Sequence, residues 1–197
     1  MNDAATPAPR ADGHAARRRG TRAQVIEAAV RLVAERGFSA TSVDDIALAA
    51  GVAKGSVYYN FGSKSDILEA ALTEGGERLQ ATISAARGDL RGREALAAVV
   101  GALLTAMQAN PDFAKLMAAE VFRVERVWQE TIGALRSVTI ATFAEVISEI
   151  SPDEDTSLVG AATFGAVLVA GLEWLLFQPG RPVEDVRASV LRLTAGL

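Results

Sequence analysis

The amino-acid sequence predicts an all-α fold of about nine helices, divided into a small N-terminal three-helix domain and a larger C-terminal helical domain. In most segments after residue 20, apolar residues recur at the spacing of one helix face. Within 41–64, two short stretches of this kind are joined by a glycine, as in a helix-turn-helix. The predicted divisions are a basic tail at 1–20, a helix-turn-helix domain at 21–65 and a second domain at 66–197.

The composition limits the chemistry that the chain can perform. Half of its 197 residues are hydrophobic, which is enough to build a core, and it contains no cysteine. Its single histidine, His14, lies in the predicted tail. A zinc site, a haem site and a His-activated nucleophile therefore lack their residues. We expect no catalytic residues, no metal and no cofactor, and the lack of cysteine fits the reducing cytoplasm.

Charge is distributed unevenly along the chain, whose net charge is −4. Residues 1–65 contain nine Lys and Arg against six Asp and Glu, whereas residues 66–197 contain 11 against 18. A basic first third fits nucleic-acid binding, because affinity for phosphates depends on local rather than total charge.

Residues 1–20 are rich in Ala, Pro, Gly and Arg and have no apolar periodicity, so we expect a disordered tail. Arg17 to Arg19 could belong to an arm that contacts the DNA backbone or minor groove, or to a tail that only aids solubility. A twin-arginine export signal is excluded, because Arg22, Glu27 and Arg31 interrupt the segment that follows.

Residues 21–36 have a helical pattern, and Gly37 suits the end of that helix. Thr41 or Ser42 can cap the next helix, which carries acidic residues in its first turn. Gly51 follows that helix directly and tolerates the positive φ of a sharp turn. The predicted buried face of this helix consists of Val43, Ile46, Ala47 and Ala50.

The second helix of the motif, at about 53–61, has only Val57 and Phe61 to hold it against its neighbours. The rest of its surface offers a charge, hydroxyls and an amide to an outside partner. Ala53 provides no side-chain cap for its start. Ser63, with Asp66 three residues on, can cap the following helix.

The stretch GFSATSVDDIALAAGVAKGSVYYNFGSKSDIL, preceded by RAQVIEAAVRLVAERG, resembles the N-terminal domain of the tetracycline-repressor (TetR) family of bacterial transcription regulators. The resemblance covers about 21–70. It implies a cytoplasmic homodimer that binds a palindromic double-stranded DNA operator, usually as a repressor, and that a small-molecule effector releases. The implied base-edge contacts are Lys54, Gly55 and Ser56, and the implied phosphate contacts are Thr41 or Ser42, Tyr58, Tyr59, Asn60 and Lys64.

Two positions depart from the family pattern. Ala53 stands where a serine or threonine is common, so a cap or a phosphate contact is missing. Asn60 stands where histidine is frequent, and an amide cannot become charged with pH. The alternative interpretation of the segment is a three-helix packing unit in a larger core, with its tyrosines as packing residues.

The segment from Lys64 to about Ala86 has a helical pattern with Gly75 and Gly76 in its middle. Each glycine costs a helix about 1 kcal/mol relative to alanine. We expect one helix with a soft point, or a break into two. In the family this helix joins the DNA-binding domain to the effector domain, so the glycines are hinge candidates; a tolerated surface flaw is the alternative.

Further helices are predicted at 93–109, from Pro111, and from about 120 to 150. Methionines and aromatic side chains between them suit a lipophilic effector, although such residues at helical spacing can equally form ordinary core. Glu173, a lone acid in an apolar run, could meet a cationic effector or lie at an exposed dimer edge. The candidate effector-binding residues are Met107, Phe113, Met117, Phe122, Trp128, Phe143 and Phe164.

Residues 158–177 are almost wholly apolar and long enough to span a membrane. The many Gly and Ala residues and the lack of a second such stretch instead favour a buried interface helix and no membrane. Apolar stripes on this helix and on the last one would pair with their symmetry copies in a four-helix bundle, with an intrachain core as the alternative. The stripes are Gly160, Phe164, Val167, Gly171 and Trp174, then Val183, Val186, Val190 and Leu193.

Two other functions are left open. A DNA-binding protein of the same fold could respond to a protein partner and lack a small-molecule site. A helical-bundle enzyme acting on a lipophilic substrate has little support, because the second domain contains neither His nor Cys and no paired acids.

Overall fold

The structure of the protein, a computed structural model, describes residues 11–121, 128–153 and 155–196, with side chains from Arg18 onward. These residues form nine α-helices and no β-strand, which confirms the all-α class. The helices are α1 (Ala11–Arg36), α2 (Val43–Ala50), α3 (Lys54–Asn60), α4 (Lys64–Arg87), α5 (Gly92–Ala109), α6 (Pro111–Glu120), α7 (Gln129–Ser148), α8 (Thr156–Phe177) and α9 (Val183–Leu193).

The chain divides into two compact units, Met1–Leu68 and Glu69–Leu197. The division falls inside α4, slightly beyond the boundary predicted at residue 65. The first unit therefore contains α1 to α3 and the start of α4, and the second contains the remaining helices.

The predicted disordered tail is wrong for residues 11–20, because α1 begins at Ala11. This segment contains alanines and arginines, which are good helix formers, directly before the predicted helix. Extending an existing helix costs far less than starting a new one, so the helix continues toward the N-terminus.

The first unit has a core to which all of its helices contribute. Gly37 (φ 83°) ends α1 and Gly51 (φ 67°) is the C-cap of α2, and this left-handed backbone reverses the chain at both positions. On the predicted face of α2, Val43 and Ala50 are half-buried. The fully buried side chains include Val25, Ala29, Leu32, Ile46, Ala47, Val57, Phe61, Ile67 and Leu68.

The second unit is built around α5. Ionic contacts also link its helices, since the guanidinium of Arg87 on α4 lies 2.7 Å from Glu145 on α7 and 3.1 Å from Glu149, the C-cap of α7. The Glu149 carboxylate also accepts a 2.7 Å hydrogen bond from the backbone N–H of Gly92 at the start of α5. The α5 residues predicted to face inward are all buried, namely Leu96, Val99, Val100, Leu103, Leu104 and Met107.

The predicted long helix from about 120 to 150 is wrong at its start. Glu120 is the last residue of α6, and α7 begins only at Gln129. Residues 122–127 lie outside the described part of the chain, and so does the candidate effector residue Phe122. Apolar spacing continued through the junction in the sequence, and a continuous pattern does not mark where one helix ends and the next begins.

Helix α4 runs unbroken through Gly75 and Gly76, so the alternative of a break is wrong. Both glycines are buried, and neither is a surface flaw. A Cβ at Gly75 would overlap the ring of Phe113 on α6, and a Cβ at Gly76 would lie 3.1 Å from Leu135 on α7. The two glycines allow α6 and α7 to approach α4 closely.

Helices α7 and α8 are both long and apolar enough to cross a membrane, with mean hydropathies of 1.2 and 1.8. The core helix of a soluble protein meets the same criterion, so this is weak evidence for a span. One face of α8 is buried within the second unit, including Val167 and Trp174, whereas Leu158 and Val169 on other faces are exposed.

Candidate DNA interface and ligand cavity

Helix α2 starts with a reciprocal cap between Ser42 and Asp45. The Asp45 backbone N–H donates to the Ser42 hydroxyl oxygen at 3.1 Å, and the Ser42 backbone N–H donates to the Asp45 carboxylate at 3.0 Å. The Ser42 hydroxyl also donates to that carboxylate at 2.7 Å and is the main reason that the pKa of Asp45 lies below its usual value. Of the two predicted caps, Ser42 is the one used.

Helix α3 is anchored on one side and open on the other. Val57 and Phe61 are buried at 1% and 6% exposure, as their spacing predicted, while Tyr58 and Tyr59 are 50% and 71% exposed. Its N-cap, Ala53, makes no side-chain hydrogen bond, as predicted. The helix therefore presents a polar surface that the rest of its unit does not cover.

Lys54, at the start of this open surface, already has a partner inside the unit. Its ammonium lies 2.6 Å from the Asp44 carboxylate of α2, and the hydrogen bond to Asp44 raises the pKa of Lys54. Both side chains are more than half exposed, so water weakens the pair. A phosphate or base edge approaching Lys54 must compete with Asp44.

Two of the predicted phosphate contacts are used inside the unit. Thr41 is 2% exposed, and its hydroxyl donates to the Gly37 carbonyl at 2.9 Å. The Lys64 ammonium donates to the carbonyls of Phe38 and Thr41, both at 2.6 Å, and lies 3.9 Å from the centre of the Phe38 ring. These bonds tie the loop before α2 to the start of α4, a role that residue order alone did not predict.

The Asn60 amide is also partly used. Its Nδ2 donates to the Ser56 carbonyl one turn earlier in α3 at 2.7 Å, and both residues are half-buried. Of the implied DNA-contact residues, five lie exposed on the first unit: Ser42, Lys54, Gly55, Tyr58 and Tyr59.

Arginines of α1 lie against the aromatic residues of the motif. The Arg18 guanidinium is 5.4 Å from the centre of the Tyr59 ring, and that of Arg22 is 5.2 Å from the centre of the Phe61 ring. This is cation–π distance. The sequence hinted at Arg18 only through its basic run, because the pairing requires α1 to extend N-terminally beside α3.

The second unit contains a cavity of about 340 Å³ between α4, α5, α6, α7 and α8. Its size falls within the usual range for small-molecule sites. Most of its wall is apolar, and the charged residues among its described lining are two arginines, Arg78 and Arg136. The other lining residues include Leu79, Thr82, Leu103, Thr105, Ala106, Asn110, Leu135, Thr139 and Leu168.

Four candidate effector residues lie together around this cavity: Met107, Phe113, Met117 and Phe164. Two others are core residues instead, since Trp128 is 1% exposed and Phe143 is fully buried. Arg78 and Arg136 were missed by sequence reasoning, because an exposed arginine on a helix gives no signal until the cavity beside it is known.

Glu173 does not line the cavity. It is exposed, and its carboxylate accepts a 3.1 Å hydrogen bond from the Gln178 side chain. Of the two interpretations of Glu173, contact with a cationic or hydroxylated effector therefore has no support in its position, and its exposure is compatible with the other, an exposed edge.

The predicted dimer stripe on α8 is wrong, because it faces the core of its own chain. A Cβ at Gly160 would lie 2.9 Å from the backbone of Ala144 on α7, and one at Gly171 would lie 2.6 Å from Met107 on α5. Phe164 lines the cavity, while Val167 and Trp174 are buried, the latter donating from Nε1 to the Arg181 carbonyl at 2.8 Å.

On α9 the predicted stripe is also directed inward, with Val186 and Val190 buried and Val183 half-buried. Only Leu193, at 75% exposure, is open to a partner. Because α8 is apolar on all sides, spacing by itself could not tell its inner face from its outer one.

The outer face of α8 is instead the large exposed apolar surface of this helix. From Leu158 to Val169 its residues follow the three-and-four spacing of one helix face, and Leu176 lies two turns further on, beyond the exposed Glu173. A Cβ at Gly165, in the middle of this face, would meet nothing within 4 Å. The face consists of Leu158, Ala162, Gly165, Val169 and Leu176.

Residues 25–71 match the family model described as bacterial regulatory proteins, tetR family. The regulator TtgR of Pseudomonas putida is 46% identical over 52 residues, a match that covers 26% of this chain and only 25% of that relative's length.

Two solved structures cover nearly the whole chain. The TetR family regulator PfmR of Thermus thermophilus is 27% identical, with a TM-score of 0.72 over 88% of this chain and 95% of that one. The regulator FadR of Bacillus subtilis, solved in complex with stearoyl-CoA, is 24% identical, with a TM-score of 0.74 over 89% and 98%. The match in the first unit and the shared fold of both units agree, and the protein is similar in both units to transcription regulators of the TetR family.

Proposed function

We propose that the protein is a dimeric cytoplasmic repressor that binds a palindromic operator through α2 and α3 and releases it when a lipophilic small molecule occupies the cavity. The observation that carries this proposal is the open polar face of α3, anchored from behind by Val57 and Phe61. It lies within the segment that matches the family model. A short helix held in this way can enter the major groove.

In this proposal, some polar residues of the motif contact base edges and others contact phosphates. Lys54, Gly55 and Ser56 lie in the first turn of α3, where a recognition helix contacts base edges. Ser42, Tyr58 and Tyr59 reach phosphates, which position the domain but carry no sequence information. Thr41 and Lys64 serve instead to hold the motif together.

The dimer would form through the outer face of α8. Leu158, Val169 and Leu176 are 69%, 67% and 48% exposed, an apolar surface that water disfavours. Gly165 leaves open space at its centre, so the same helix of a second copy can approach closely. Self-complementary pairing about a two-fold axis would place two α3 helices on the two halves of a palindrome.

The cavity supports a small-molecule effector over a protein partner as the controlling signal. It is lined by five helices of one unit and has mostly apolar walls. The structure of FadR with stearoyl-CoA indicates that this fold can accommodate a lipophilic ligand. Because α4 both lines the cavity and begins in the first unit, a ligand that shifts α4 can change operator affinity.

Gel shifts with the DNA upstream of the protein's own gene test the regulatory function. We expect a specific complex whose affinity falls steeply with salt. Tyr59→Phe should weaken binding to all sequences alike, and Ser56→Ala should relax the preference at one operator position. Failure to prefer the upstream DNA over unrelated DNA at any salt concentration would contradict the proposal.

A further inference from the structure

We infer that the cavity takes an amphipathic anion, with its hydrocarbon body among the apolar side chains and its anionic group held by Arg78 and Arg136. This inference rests on the proposed ligand-binding role of the same cavity. Its starting point is a contrast of charge. Residues 66–197 contain 11 Lys and Arg against 18 Asp and Glu, yet among the described residues the cavity wall carries two arginines and no carboxylate.

Two threonines of the wall, Thr82 and Thr139, are already hydrogen-bonded within the protein. The Thr82 hydroxyl donates to the Arg78 carbonyl at 2.9 Å, and the Thr139 hydroxyl donates to the Leu135 carbonyl at 2.9 Å. Thr139 also accepts a 2.8 Å bond from the Gln80 amide. A ligand therefore gains little from these hydroxyls, because their donors are committed to the protein.

The two guanidinium groups, in contrast to these hydroxyls, make few bonds within the protein. Arg78 makes one ion pair, a 4.0 Å contact with Glu74, and its side chain is 67% exposed. In the part of the chain that the structure describes, no hydrogen bond or ion pair engages Arg136. Guanidinium groups bind carboxylates and phosphates through paired N–H donors, and such charge-assisted bonds are stronger than neutral ones.

The wall changes from polar to apolar along the cavity, which sets the direction of the ligand. Arg78 on α4 and Arg136 on α7 are exposed to water, whereas Leu103 and Met107 on α5 are 3% and 5% exposed. An anion at the arginines stays partly hydrated, and a chain among the buried side chains loses its contact with water. A cationic head would meet two like charges at the same opening.

Three probes with the same hydrocarbon chain test the inference on the protein without DNA: dodecanoate, dodecan-1-ol and dodecylammonium, each below its micellar concentration. Affinity is obtained from the rise in melting temperature with ligand concentration. We expect dodecanoate to bind at least about tenfold more tightly than dodecan-1-ol, as one charged hydrogen bond implies, and dodecylammonium to bind most weakly. Equal affinities, or a preference for the cation, would overturn the inference without any variant.

Arginine variants locate the headgroup. Arg136→Gln and Arg78→Gln should each weaken dodecanoate binding by about tenfold and leave dodecan-1-ol unchanged. Arg181→Gln, which removes an exposed arginine outside the cavity wall, is the matched control and should behave as wild type. If neither cavity variant discriminates between the two probes, the assignment of the anionic group is wrong.

The same samples separate this inference from the proposed function. If the protein shifts its upstream DNA but binds none of the three probes, the proposed DNA-binding function stands and the inference about the cavity is refuted. Protein that prefers dodecanoate but forms no specific DNA complex supports the inference about the cavity and refutes the proposed regulator.

Discussion

The two lysines of the first unit, Lys54 and Lys64, differ in their hydrogen-bond partners. Lys64 bonds to two backbone carbonyls across the loop that leads into α2, whereas Lys54 bonds to the exposed Asp44 carboxylate. A carbonyl acceptor that loses its donor inside a fold costs more than a surface ion pair that returns to water. Lys64 is therefore a structural residue, and Lys54 is available to DNA.

Lys64→Ala should lower the free energy of unfolding of the protein by about 1–3 kcal/mol, since the Thr41 carbonyl loses its Lys64 donor and the Phe38 carbonyl keeps only the Thr41 backbone N–H at 3.2 Å. Lys54→Ala is the control and should cost at most about 1 kcal/mol, because it removes only an exposed pair. Urea unfolding followed by circular dichroism measures both. Equal losses in the two variants would mean that the Lys64 bonds contribute no more than a surface contact.

Asp44→Asn should strengthen DNA binding to all sequences, because it frees Lys54 and removes a negative charge near the phosphates. The slope of log affinity against log salt should steepen by up to about 0.9, because the DNA-binding surface gains one unit of positive charge. Salt-dependent gel shifts measure this, with Asp89→Asn as a control for an exposed acid in the other unit. An unchanged slope and affinity would indicate that the Lys54–Asp44 pair survives in the complex.

At the scale of helices, a glycine is required only where a side chain of a neighbouring helix occupies the space that its Cβ would take. Gly75 has the Phe113 ring where its Cβ would lie, whereas a Cβ at Gly133 on α7 would meet nothing within 4 Å. The same helix propensity gain of about 1 kcal/mol is available at both positions. Only at Gly75 does a steric clash oppose it.

Gly75→Ala should therefore destabilise the protein by about 1–3 kcal/mol, the usual cost of overpacking. Gly133→Ala should stabilise it by up to about 1 kcal/mol. Thermal or urea unfolding of the matched pair tests this, and a stabilised Gly75→Ala variant would show that Phe113 moves aside without cost. Because Phe113 and Gly75 both line the cavity, the first variant should also weaken dodecanoate binding.

At the scale of the whole molecule, the proposed dimer depends on the surface that α8 leaves uncovered. The predicted stripe of Gly160, Val167, Gly171 and Trp174 is buried in the protomer's own core. The opposite face, centred on Gly165 and Val169, is the one that a second copy can cover. Assembly and operator recognition are linked, since two half-sites are contacted only by a dimer.

Val169→Asp should convert the dimer to monomers, because each copy would bury a carboxylate at the apolar interface. Sedimentation measures the mass, and gel shifts should show weaker operator binding with a smaller salt slope. Val138→Asp, at a 51% exposed position on α7, is the control and should remain dimeric. A dimeric Val169→Asp variant would exclude this face as the interface.

By itself the sequence determined the helical class, the helix-turn-helix with a cap at Thr41 or Ser42 and an uncapped α3, and the buried face of α5. These features are local, since they follow from spacing and from residues within one or two turns of each other. It did not determine which side of α8 faces inward, that Lys64 holds a loop, or that two arginines flank the cavity. Those facts depend on helices far apart in the chain, and only the tertiary structure brings them together.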